Sequence, residues 1–352
     1  MTGSNVEVGP SAVCVLTLTG AREQLGFNEV FDPSEVGDSA VSTPVDMTDA
    51  LRIGDWLMLW SSDVDNEERP GEYLSGEGAI VAGIASKRIE LDRPLRFAHT
   101  GAAERRIFRF GMVIEPSVEG GRFKLHNKGN RQVAVTLRYG VGPSVSDIHV
   151  SGKSGRYGIH IDQCVDSTVS RASAEDIYDA ANGQAPNGVG LYLNGVVGAT
   201  VNGVLGVRCR HAVDINSFSS RTHPGLVSRD VVVNGVRAIG TYGPGWTTHH
   251  VRRVVFNEPA SIDCGGGGQL RGYDSTVIRP WVEGGNDTKP PEWNARRYVP
   301  SGIAFGETNS LPPGEGFAAE KVYVRSPRFK RLPKGWREVS FSDNAGDVVI
   351  DS

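Results

Sequence analysis

The sequence predicts an all-β chain folded as a right-handed parallel β-helix, a solenoid of short strands with loop insertions. Three observations lead there. One strand pattern, Gly158-Ile159-His160-Ile161-Asp162, returns as Gly190-Leu191-Tyr192-Leu193-Asn194 and as Ala212-Val213-Asp214-Ile215-Asn216. A second pattern follows each copy, at Asp166 to Ala172, Gly198 to Val204 and Asp230 to Val236. The spacings are 32 residues from Ile161 to Leu193 and 22 from Leu193 to Ile215, which fits a coil of about 22 to 24 residues with insertions. Units this short cannot bury their own apolar face, so each must stack on its neighbours.

In chain order, residues 1–50 read as an N-terminal cap or attachment segment, with a candidate strand at 13–18. Residues 51–310 read as the β-helix and 311–352 as a C-terminal cap. Between 51 and 110, Trp56 to Trp60, Glu77 to Ile84, Arg88 to Leu91 and Ile107 to Met112 alternate between turn signals, as short strands do. Further copies of the first pattern are expected at Ala260 to Asp263 and Gly302 to Gly306. The second is expected at His249 to Val254 and Asp274 to Arg279. An intermediate coil is expected through Ala238-Ile239. The run Cys264 to Gly268 reads as a loose turn.

Composition narrows the function. Of 352 residues, 45 are Gly, without the Gly-x-y period of collagen, so many turns or close backbone approaches are needed. The net charge of -4 does not fit a nucleic-acid partner. No apolar stretch approaches a membrane span, and the N-terminus lacks the basic region of a signal peptide. The four cysteines form no CxxC pair and read as buried free thiols. No cofactor and no metal site are expected, and no GxSxG, HExxH or Walker motif stands in a supporting context.

Alternation assigns faces. Ile159, Ile161, Leu191, Leu193, Val213 and Ile215 point inward, so His160, Tyr192 and Asp214 point outward, one above another. Asp162, Asn194, Asn216 and Asp263 are expected to stack at the corner that follows, where Asn and Asp suit unusual dihedrals. Insertions at 174–189, 217–228, 241–250 and 283–300 bring polar and aromatic residues that would wall the stripe. Glycoside hydrolysis needs two carboxylates. Asp214 is the first choice, with Asp176, Asp179 or Asp230 as partner. Proton abstraction in a lyase would instead draw on His160 or Tyr192. Trp246, Trp281 and Trp293 are candidate sugar platforms, and Tyr242, Arg221 and His249 candidate substrate-binding residues.

The segment LRIGDWLMLWSS, followed by GEGAIVAGIASKRIELDRPL, resembles the opening region of pectin-lyase-like β-helix proteins, among them bacteriophage tailspikes that depolymerise polysaccharides. The resemblance implies a glycoside hydrolase cleaving a bacterial surface or extracellular glycan. It also implies an extracellular or virion-tail location and a homotrimer. The alternatives are a polysaccharide lyase and a non-catalytic carbohydrate-binding or virion structural protein. The DPHD run of alginate epimerases and the clustered Asp and Arg motifs of pectate lyases are absent.

Overall fold

The computed structural model describes residues 5–7, 14–25, 31–32, 34–64, 74–99, 104–126, 132–152, 155–177, 188–219, 223–285, 301–306, 319–342 and 345–351. These residues hold strands and turns and no helix. Two parallel sheets build the β-helix. One has nine strands in the order Cys14–Thr19, Gln132–Arg138, Gly155–Asp162, Val189–Asn194, His211–Asn216, Pro244–His249, Gly266–Leu270, Ser301–Phe305 and Arg337–Phe341. The other has sixteen strands, and the apolar core lies between the two. Ile161, Leu193, Val213 and Ile215 are fully enclosed there, as alternation requires. Burying each such side chain contributes about 1.5–3 kcal/mol.

The corners repeat as regularly as the strands. A left-handed residue recurs after the nine-stranded sheet, at Tyr139, Gln163, Gly195, His250 and Gly306, and at three further places in the coils. One set is Arg171, Gly203, Gly235, Glu258 and Arg279. A second is Asp166, Gly198, Asp230, Arg253 and Asp274. A third is Asp176, Arg208, Gly240, Asp263 and Gly284. Beside the Arg171 set, Asn257 donates to Asn234 at 2.7 Å and Asn234 donates to Asn202 at 2.8 Å, a ladder that satisfies half-buried amides from coil to coil.

Four expectations need correction. First, the β-helix starts before residue 51. Cys14–Thr19 pairs in parallel with Gln132–Arg138, while Ala21–Leu25, Ala40–Ser42, Trp56–Val64, Leu74–Ala85, Arg88–Leu91 and Arg105–Gly111 form a six-stranded antiparallel sheet with its own core around Leu57, Leu59, Ile89 and Ile107. Period-two alternation is common to parallel and antiparallel strands, so the pattern alone cannot separate them. Second, stacking continues to the C-terminal side. Val348–Asp351 and Arg337–Phe341 both pair in parallel with the preceding coil, so these strands add rungs. Third, Ala260–Ile262 belongs to the sixteen-stranded sheet, beside Arg237–Ile239. Asp263 therefore stands in line with Asp176, and Ile215 is followed in its own column by Thr248. Fourth, the glycine run is a buried strand. A Cβ on Gly267 would lie 1.9 Å from the carbonyl oxygen of Gly302, and one on Gly268 would lie 2.1 Å from Trp246 Cζ2. Only glycine fits either place.

Cys164, Cys209 and Cys264 are free and buried, and burial pushes the Cys164 and Cys209 thiols up to about 12. They are packing residues.

Candidate functional site

The nine-stranded sheet brings the expected stripe together. His160 pairs with Tyr192 and Tyr192 with Asp214. The column continues to Thr136 on one side and to Thr247 and Gln269 on the other. Tyr157 also joins the stripe, clustered with Val133, Val189 and Tyr192. Tyr157 and Tyr192 stack at 4.2 Å and 6°, and His160 leans on both at 5.1 and 5.3 Å.

Asp214 is only 6% exposed although it points out of the solenoid. Its Oδ1 has no hydrogen-bond partner. Burial pushes the carboxyl up to about 6, against the lowering pull of Arg271 and Arg210. His249 Nε2 lies 3.5 Å from Oδ1. Arg271 approaches the same nitrogen at 2.5 Å, and an arginine can only donate, so Nε2 accepts and the ring proton sits on Nδ1. Arg271 is itself buried and held by Thr248 O at 2.8 Å and Thr247 Oγ1 at 2.6 Å. An acid poised near neutrality thus sits between a phenol, a neutral imidazole and a fixed guanidinium. Burial lowers His160 to about 4, so that ring is also neutral at pH 7.

The adjoining outward column is Arg138, Asp162, Asn194, Asn216 and His249. Asp162 is bound by Arg138 at 2.6 Å and Asn194 at 2.8 Å, and Asn216 donates to the Tyr192 hydroxyl at 2.9 Å. Asn194, Asn216 and His249 are half-buried, whereas Thr247 and Gln269 are fully enclosed. A ligand would therefore reach Asp214 from the side of this column.

The other candidates fall elsewhere. Asp176 and Asp230 sit at left-handed corners, each tied to the arginine one coil on. Asp176 meets Arg208 at 2.7 Å, and Asp230 meets Arg253 at 2.6 Å. Asp147–Arg171 and Glu258–Arg279 repeat the motif, which marks it as a link between coils. Burial works to raise Asp230, but its arginines outweigh it and hold the carboxyl below its usual range. Trp246 is a core residue with no exposure, inward between Val213 and Gly268 and packed on Phe256 at 4.9 Å. It is thereby excluded as a sugar platform. Trp281 is 42% exposed but stands on the sixteen-stranded sheet. Tyr242 is half-buried at the turn before Pro244–His249. Asp179, Arg221 and Trp293 lie outside the described residues.

Sequence reading missed Arg271, whose strand it follows carries almost no side chains, and Phe218, the exposed aromatic nearest the Asn194 column. Among the described residues no cluster of three or more His, Cys, Asp or Glu side chains could hold a metal, and no helix is long and apolar enough to cross a membrane.

No protein-family model matches the chain, and no curated protein matches it. Solved structures do. The Gp54 tailspike of Acinetobacter baumannii bacteriophage AP22, solved with A. baumannii capsular saccharide, superimposes with a TM-score of 0.56 at 13% identity, over 99% of this chain and 64% of that one. The tailspike gp49 of Pseudomonas phage LKA1 gives 0.55 at 11% identity, over 100% and 69%. The chain thus spans about two thirds of the length of either tailspike. At these identities the likeness concerns architecture, and the chain has the all-β parallel β-helix fold of phage tailspikes.

Proposed function

We propose that this chain binds and cleaves a polysaccharide along the outward stripe of the nine-stranded sheet, as a glycoside hydrolase in which Asp214 donates the proton to the departing glycosidic oxygen. The observation that supports this most directly is an enclosed carboxyl, raised to about 6, on a rigid strand between Tyr192 and Thr247 with His249 and Arg271 beside it. A proton donor at neutral pH needs such a raised acid. The tailspike fold agrees with a surface-glycan substrate, an extracellular or virion-tail location and a homotrimer.

A lyase reading has its own support. Asp162, Asp176 and Asp230 are each engaged by arginine, which favours a reading that does not call on them as a second carboxylate. Tyr192, Arg271 and Arg210 are the residue types that abstract a proton beside a uronate and neutralise its carboxylate. Bacterial capsular and cell-wall glycans incubated with the protein separate the readings. Hydrolysis releases reducing ends without an unsaturated product. Elimination releases reducing ends together with the ultraviolet absorbance of an unsaturated uronate. A non-catalytic binder retains the glycan and releases neither.

A further inference from the structure

The insertion that leaves Asn216 and returns at Ser228 is pinched at its base by serine hydroxyls. Ser217 Oγ accepts from the Ser228 N–H at 2.8 Å, and Ser228 Oγ accepts from the Val196 N–H at 3.0 Å. Ser219 Oγ accepts from Trp60 Nε1 at 3.0 Å and from the Gly225 N–H at 3.1 Å. Ser217 and Ser219 are both fully buried, so Phe218 between them is forced outward and is 37% exposed. Its own N–H is held by Asn194 Oδ1 at 3.0 Å, a side chain of the column through which Asp214 is reached. His223 stands beside the ring at 6.5 Å.

The antiparallel sheet secures the returning arm from Pro224 to Val227. Val227 donates to Gly76 O at 2.9 Å, Arg22 donates to Pro224 O at 2.6 Å, and Leu226 is buried among Met58, Trp60 and Phe108. An exposed ring on a clamped backbone is ordered before any ligand arrives, which lowers the entropic cost of binding. Phe218 lies four residues past Asp214, no more than about 13 Å of chain. That span keeps the ring within reach of a neighbouring sugar in the same polymer.

We propose that Phe218 is a sugar-stacking platform at the rim of the Asp214 site, taking the apolar C–H face of a pyranose, and that the antiparallel sheet serves to hold it there. This rests on the polysaccharide reading above. The test uses the full chain and oligosaccharides released from bacterial capsular polysaccharides, with kcat and KM measured separately. Phe218→Ala should raise KM roughly 3- to 10-fold, the scale of one aromatic contact, and leave kcat nearly unchanged. Phe218→Leu keeps apolar bulk and should also raise KM, whereas Phe218→Trp should restore it. Unfolding melts establish that each variant is folded, and Phe218→Leu serves if Phe218→Ala is not. Wild-type KM in Phe218→Leu overturns the platform and leaves the polysaccharide reading standing. A wild-type protein that neither binds nor cleaves any of the glycans overturns both.

Discussion

Asp214 is unusual in being enclosed, outward-pointing and without a hydrogen-bond donor on Oδ1. The stability consequence has a definite sign. Its folded pKa of about 6 lies above the unfolded value of 3.8. The stabilising contribution is therefore fully present below about 4 and lost as pH rises through 6. Asp214→Asn should gain on the wild type across that window by an amount on the order of 3 kcal/mol, read as the difference between denaturant midpoints at pH 4 and pH 7. A difference that stays constant with pH would show that the carboxyl is not raised. His160 works in the other direction. Its folded pKa lies below the unfolded one, so it contributes stability above pH 6.5 that is lost as pH falls toward 4. His160→Gln should accordingly gain on the wild type as pH falls from 6.5 to 4.

At the scale of elements, the strand Gly266–Leu270 is defined by what it lacks. Gly268 makes room for the Trp246 ring one coil earlier, so Gly268→Val should destabilise the fold by about 1–3 kcal/mol or more through overpacking. Pairing it with Trp246→Leu should recover part of that loss, a coupling that a double-mutant cycle measures. Additive losses would deny the contact. The corner ion pairs are a contrast. The Asp147–Arg171 pair is exposed to solvent, and Arg171→Ala should leave the denaturant midpoint nearly unchanged.

These elements show what could be read in advance. The stripe of His160, Tyr192 and Asp214 was legible because apolar residues alternate on both sides of each in consecutive coils. In Pro244–His249 the inward positions are Trp246 and Thr248, and a threonine facing the core breaks the apolar signal that would have turned Trp246 inward. In Gly266–Leu270 there is almost no side-chain pattern to read. Phe218 was passed over because its outward direction comes from two buried serines, which composition marks as loop residues.

Across the whole molecule, the β-helix and the antiparallel sheet meet through a few specific bonds. Trp60 to Ser219 is fully buried, so Ser219→Ala leaves an indole N–H without its acceptor and should cost about 1–3 kcal/mol, measured by thermal or denaturant unfolding. No loss would mean that this bond does not contribute to docking the two parts. Association is the next level. Light scattering at micromolar concentration should give the mass of three chains, and a single-chain mass would reject the proposed trimer. The measurement that bears most directly on the central claim is product release by Asp214→Asn beside the wild type, on a glycan the wild type cleaves. A proton donor lost from an otherwise intact strand should lower turnover by roughly 10²-fold or more, with KM little changed and the melting temperature little changed below about pH 4, where the wild-type carboxyl is protonated. Full turnover in a folded Asp214→Asn protein would contradict it and remove the carboxyl from the chemistry.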